Sequence, residues 1–342
     1  MATLADVFAP DAFSLVSMTN AISKIPASPT TIGDLGVFED VPVAQTVVAV
    51  EENQGILNLI PTTSRGGGGS KTKAEKRVIT PMRVPHIQAD DTVSADDVLN
   101  VRAFGSDNEQ AVADVVAQKL SVMRRNIDVT TEYLRLGAVH GVVTYPTGSV
   151  DANVDLFNTF GTSEQTVDFD TADADTNIVE EKCAAVRDAV ESALGGTPYT
   201  GIYALCGRTF FRTLISHPQV KDLYLQQQAL LGAQQGVVDF ARPNRQRVSF
   251  GGIVFEEYYG VVSGVTFINA SQARFMPVGV PGLFQSIYAP ADLPETVGTL
   301  GQYMYARQYM AVDGKMIHLE AQSNGLHICT RPRCLVKGVL AS

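Results

Sequence analysis

Residues 106–141 read SDNEQAVADVVAQKLSVMRRNIDVTTEYLRLGAVHG. Val112, Val116, Leu120, Met123, Ile127 and Leu134 recur mostly three or four apart, which puts them on one face of an α-helix. Ser106 and Glu109 have the spacing of a capping box, in which each side chain satisfies an orphan donor at the helix start. Gly137 and Gly141 lie where such a helix stops. The pattern predicts a helix over 107–138, about 48 Å long at 1.5 Å per residue. That far exceeds an average helix and reads as a spine on which other elements are laid.

Upstream, residues 1–45 carry scattered apolar positions and turn residues such as Pro26, Pro29, Gly33 and Gly36. Little helical period is evident beyond a short turn at Leu4–Val7, so the segment reads as an extended N-terminal arm. An arm is stable only when packed on its own subunit or a neighbour. Two β-rich runs follow, 46–63 and 78–93, around a glycine-rich basic stretch. They predict a long hairpin with a loose tip, because four consecutive glycines cost much entropy to order. Pro81 and Pro85 demote the second run to an edge or ribbon.

Downstream, Val142–Tyr145 and Val154–Phe157 read as strand and turn. A second helix is expected from Asn177 to Leu194, with Val179, Cys183, Val186, Val190 and Leu194 on its buried face. Ile202–Cys206 is a short buried strand. A third helix starts near Thr209, is interrupted at Pro218 and continues toward Leu230. Further strands are expected at Ile253–Tyr258, Val265–Ile268, Lys315–Ala321, Leu326–Thr330 and Cys334–Val339, with a turn at Ser323–Gly325. Strands and helices are segregated, so the fold class is α+β.

The chain has 342 residues, with 26 Lys and Arg against 36 Asp and Glu, a net charge of −10. That balance argues against holding nucleic acid through a general basic field, though not against enclosing it. No apolar run approaches the roughly 18 residues of a membrane span, and no signal peptide is evident, so an intracellular origin is expected. Cys183, Cys206, Cys329 and Cys334 form no Cys-x-x-Cys pair and read as buried reduced thiols.

Motifs for phosphate-loop, dinucleotide, zinc-protease and serine-hydrolase chemistry are absent. Gly66–Gly69 is no phosphate cradle, since a β-type segment follows it rather than a helix. No pair of histidines has metal-ligand spacing; His318, His327, Cys329 and Cys334 are close enough in sequence to gather around zinc, but Cys334 lies beyond Pro332 and ordinary packing is expected. No catalytic, cofactor or metal residue is expected, and the chain reads as a non-enzyme.

What remains is a separation of charge. Residues 1–64 carry −6 and residues 65–83 carry +5, while Asp151–Glu181 holds nine acids and no cation. The acidic stretch reads as solvated turns plus a helix N-terminus, or as a docking surface; a projecting basic hairpin needs an acidic surface, which symmetric self-assembly can supply from the next copy of the chain in a head-to-tail contact. The candidate contact residues are Arg65, Gly66, Gly67, Gly68, Gly69, Lys71, Lys73, Lys76 and Arg77. The candidate acidic docking surface is Asp151, Asp155, Asp168, Asp170, Asp173 and Asp175.

The order of arm, hairpin, spine helix, mixed domain and return strands resembles tailed-phage major capsid proteins of the Hong Kong 97-type fold. It is most similar to the phage capsid E family, the lambda-like major head proteins. Leu4–Phe8 through Phe38–Asp40, Ser64–Gly67 with Ile79–Gln88 and Asp96–Leu99, and Ala321–Ser323 with the strand to Val339 carry the resemblance. It implies an arm over 1–45 and an extended β-hairpin loop over 46–92. It implies a peripheral domain over 93–168 and 305–342, and a mixed axial domain over 169–304.

The function implied is a major capsid protein, a structural component of the virion. It self-assembles through pentamers and hexamers into an icosahedral shell around double-stranded DNA, without sequence-specific binding and without membrane. A separate scaffolding protein, a portal and a decoration protein are the expected partners, and host cytoplasm is the expected place of assembly. The competing readings are a cargo-enclosing compartment of the same fold and a soluble α+β enzyme with an unrecognised site.

Overall fold

A long helix is stable in a protein only when one face is buried, and the spine is built that way. In the computed structural model, the described residues are 14–26, 30–52, 78–94, 96–97, 108–146, 148–149, 151–169, 178–221, 225, 246–262, 264–312, 314 and 316–340. The spine spans Asn108–His140, here α3. Val116, Leu120, Met123, Ile127 and Leu134 are buried as the period requires. Gly137 does not end it. A Cβ there would lie 2.9 Å from the Cα of Val143, so the glycine lets the helix run close over the following backbone. The stop is Gly141, at φ +77°.

The chain divides into two compact units. The first comprises Met1–Val48, Pro81–Leu134 and Gln285–His327. Its elements include α1 (Leu15–Lys24), α2 (Thr31–Leu35), β1 (Phe38–Pro42), β4 (Ile87–Ser94), β14 (Phe284–Tyr288), β15 (Tyr305–Met310), β16 (Met316–Ser323) and β17 (Gly325–Cys329). An antiparallel sheet runs β15-β16-β4 and a second runs β1-β14-β17. Ile317, Leu319 and Ala321 alternate toward a core shared with Met18 and Ile22 of α1 and with Leu120, Met123 and Ile127 of α3. Each Leu, Ile or Met among them contributes roughly 1.5–3 kcal/mol by leaving water.

The second unit comprises Ala49–Thr80, Arg135–Phe284 and Ile328–Ser342. Its mixed sheet has six strands in the order β7 (Gln165–Phe169), β18 (Val336–Leu340), β13 (Gln272–Val278), β8 (Gly201–Cys206), β10 (Ile253–Glu257) and β9 (Arg247–Phe250). Strand β8 lies at the centre, parallel to β10 and antiparallel to β13, and is apolar almost throughout. Phe210 of the helix Arg208–Ser216 meets Phe169 edge to face at 5.2 Å, and Phe169 stacks on Phe275 at 5.6 Å. The helix Ile178–Leu194 buries the five side chains that the sequence period places on its inner face. All four cysteines are buried and free.

Several elements differ from the sequence reading. The arm is not merely extended, since α1 and α2 are helices within it. Ser, Thr and Asn hold down the helix propensity of LVSMTNAISK, yet Met18, Thr19 and Ile22 make one buried face. The turn expected at Ser323–Gly325 does not form, since Ser323 and Gly325 are both strand residues. Asn324 separates β16 from β17, which pair in different sheets. Residues 87–94, read partly as extended loop, pair with β16 along eight positions. The third helix agrees with the reading as far as it is described: it spans Arg208–Ser216, breaks at His217 and resumes over 218–221, while residues 226–230 lie outside the described residues. Strand β2 (Val47–Glu52) pairs with β3 (Val78–Arg83), and residues 53–77, where the sequence predicts the hairpin tip, lie outside the described residues. No helix among the described residues is long and apolar enough to cross a membrane.

A methyl at Gly141 would meet the Phe157 ring at 2.2 Å on a left-handed backbone. Gly141→Ala is expected to destabilise the unassembled chain by about 2–4 kcal/mol, read by urea denaturation. A shift below about 0.5 kcal/mol would contradict this.

Candidate assembly surfaces

The arm packs on the spine, and the spine holds it with charge. Arg124, Asp128 and Glu132 recur every four residues on α3, and all three are buried. Arg124 donates through Nη1 to the Ile22 carbonyl at the end of α1. Its Nε lies 3.7 Å from Asp128 Oδ2. Tyr303 donates its hydroxyl to Asp128 Oδ1 at 2.6 Å. Burial, followed by this hydrogen bond, pushes the Tyr303 phenol well above its usual range.

Glu132 closes the stripe. Its Oε1 accepts from the backbone N–H of Thr31 and of Ile32, each at 2.9 Å, and its Oε2 accepts from Gly33 at 3.4 Å. These are orphan donors at the start of α2, and Thr30 provides no side-chain cap. A carboxylate suits the positive end of the helix dipole as well. The sequence carries a signal for this arrangement, charges at i, i+4 and i+8 of a helix, but it reads equally as a solvated face.

The basic tip proposed for contact, Arg65, Gly66–Gly69, Lys71, Lys73, Lys76 and Arg77, lies outside the described residues, as do Asp170, Asp173 and Asp175. Of the other acidic candidates, Asp151 is half-buried and Asp168 is exposed on β7. Asp155 is engaged locally, accepting from Asn158 N at 3.1 Å as an N-cap. Glu164, from the same acidic run, is held by Arg274 and by Lys337, the latter at 3.5 Å. Arg274 and Lys337 are cross-strand partners in β13 and β18. His318 stacks on Tyr309 at 4.9 Å, and His327 Nδ1 meets Ser286 at 2.9 Å. Among the described residues, no three His, Cys, Asp or Glu side chains gather to hold a metal ion.

Exposed apolar side chains mark two further places. Met310, Val312 and Met316 stand at the tip of the β15–β16 hairpin, with Val312 fully exposed. Tyr259, Val261, Val262 and Val265 are exposed around the two-stranded ribbon β11 (Val261–Val262) and β12 (Val265–Thr266).

The family model described as phage major capsid protein E matches residues 14–340, and the chain belongs to that family. Curated relatives named major capsid protein include one from Salmonella phage Felix O1, 29% identical over 95% of each chain. Another, from Pseudomonas phage KPP10, is 27% identical over 96% of this chain and 97% of its own. Among solved structures, a prophage capsid protein of E. coli CFT073 superposes with a TM-score of 0.60 at 14% identity, covering 96% of this chain and 98% of that one. The fold is the Hong Kong 97-type capsid fold, an α+β architecture.

Glu132→Ala leaves the donors of α2 facing a cavity and is expected to cost about 2–4 kcal/mol, with new proteolytic cleavage between residues 25 and 35. Unchanged stability and cleavage would contradict the cap. His140 has its Nε2 sealed from solvent without a hydrogen-bond partner. Burial, then the positive charges of Arg274 and Lys337, lower its pKa from 6.5 to about 3. The unfolded chain therefore binds the extra proton between those values, and stability falls as pH drops through that window. The expected loss between pH 7 and pH 4 is about 3 kcal/mol, and His140→Gln should flatten it in urea titrations at those two pH values.

Proposed function

We propose that this member of the phage major capsid protein E family self-assembles through pentamers and hexamers into the icosahedral head shell of a tailed phage. The shell encloses double-stranded DNA without reading its sequence. The match over residues 14–340 carries this reading. The net charge of −10 agrees with it, because a motor-driven genome packs and leaves more easily past a non-adhesive wall. The role is structural rather than enzymatic. Assembly takes place in the host cytoplasm, with a scaffolding protein, a portal and a decoration protein as partners.

The basic hairpin between β2 and β3 is the extended loop in this reading, and it settles on an acidic face of the next copy. Single exposed ion pairs contribute only about 0–1 kcal/mol, but a closed shell repeats them many times. The exposed apolar tip at Met310 and Val312 supports copy-to-copy contact as well, since large apolar side chains left in water mark interaction surfaces.

Arg65→Glu combined with Lys71→Glu is expected to abolish closed shells in negative-stain microscopy. Val312→Asp is expected to reduce their yield at least tenfold. Both variants should keep unassembled-chain stability within about 0.5 kcal/mol of the parent. Normal shells from the double variant would remove the extended-loop part of the proposal. A parent chain that stays monomeric with its scaffold across salt and pH would remove the shell reading itself.

A further inference from the structure

The first unit contains an open cleft of about 640 Å³ between residues 44–46, 83–86 and 289–298. Its walls are fixed by hydrogen bonds. Asn324 donates through Nδ2 to the Pro290 carbonyl at 2.7 Å, and its own carbonyl accepts from Ala289 N at 2.9 Å. Val84 N donates to the Thr46 carbonyl at 2.9 Å, and Thr296 Oγ1 donates to Ala291 O at 2.6 Å. The lining is largely apolar, including Val84, Pro290, Leu293 and Val297, and Val297 is 81% exposed. Arg83 and His86 add polar groups on one side and Asp292 on another. A rigid apolar trough with an exposed valine on its lining has the form of a peptide-docking groove.

The start of the described chain indicates what fills it. Leu15 packs against Ala291, Leu293 and Tyr305, and the first two of these line the cleft. Thirteen residues precede Ser14, enough for roughly 45 Å of extended chain. They bring Leu4, Val7, Phe8 and Phe13, with Asp6 and Asp11 and no Lys or Arg. Apolar side chains suit the trough, and the two carboxylates suit the exposed Arg83.

We infer that residues 1–13 dock into this cleft of their own chain, seating apolar side chains against Val84, Leu293 and Val297 and an acid on Arg83. The N-terminal segment is then a strap that starts from α1 and turns back over the 289–298 wall. The contact is within one chain, so it stands or falls apart from the shell reading.

The test uses the unassembled full-length chain and a variant lacking residues 2–12, which retains the Ser14 cap of α1. Hydrogen–deuterium exchange over residues 292–300 is expected to be at least fivefold slower in the full chain, independent of protein concentration. Arg83→Glu should abolish most of that difference, and Asp6→Lys with Asp11→Lys should restore it in the Arg83→Glu background. A benzophenone side chain at position 8 should cross-link to residues 289–300 of the same chain. Equal exchange with and without residues 2–12 would overturn the inference. So would protection or cross-links that arise only between chains in assembled shells, which would assign the groove to a second copy.

Discussion

Three backbone N–H groups at the start of α2 converge on a carboxylate about a hundred residues away in sequence, and the course of the arm depends on it. A five-residue helix does not nucleate itself. Without Glu132 its first donors would be buried and unpaired, which costs more than the helix returns. With Glu132, the arm is fixed at α2, and Arg124 fixes it again at the end of α1. The spine therefore serves two ends, an apolar face for the sheet and a charged stripe for the arm.

The two faces were unequally legible. The apolar period of α3 and of Ile178–Leu194 depends on nearest-turn geometry, which sequence spacing reports directly. The charged stripe depends on partners far along the chain, Ile22, Thr31 and Tyr303, and no local pattern reveals them. The same reason explains Asn324. Its Ser-Asn-Gly context is a turn signal, but the β16 and β17 ladders each have a long-range partner, and these pull the chain straight on into a second sheet. Helix α1 was missed from the opposite side. Weak propensity hid a real face of Met18, Thr19 and Ile22 that only tertiary packing rewards.

Charge told a similar story. The acidic run after the spine reads as one docking surface, yet the chain itself engages two of its acids. Asp155 caps a helix, and Glu164 lies between Arg274 and Lys337. Local sequence gives the sign of a segment but not which of its charges remain available. The contacts with other copies that the family role requires are hardest to read, because selection for them acts on surfaces whose complement is another molecule.

The four thiols have a consequence of another kind. All are buried, and burial pushes Cys183 up to about 12 and Cys206 and Cys329 well above the ordinary thiol range. A thiol that does not ionise does not attack a disulfide or a peroxide at useful rates. A virion component of this family stands in a particle rather than under a cell's pool of reductants. Thiols held this way resist oxidation to disulfides, so they do not stitch one subunit to the next.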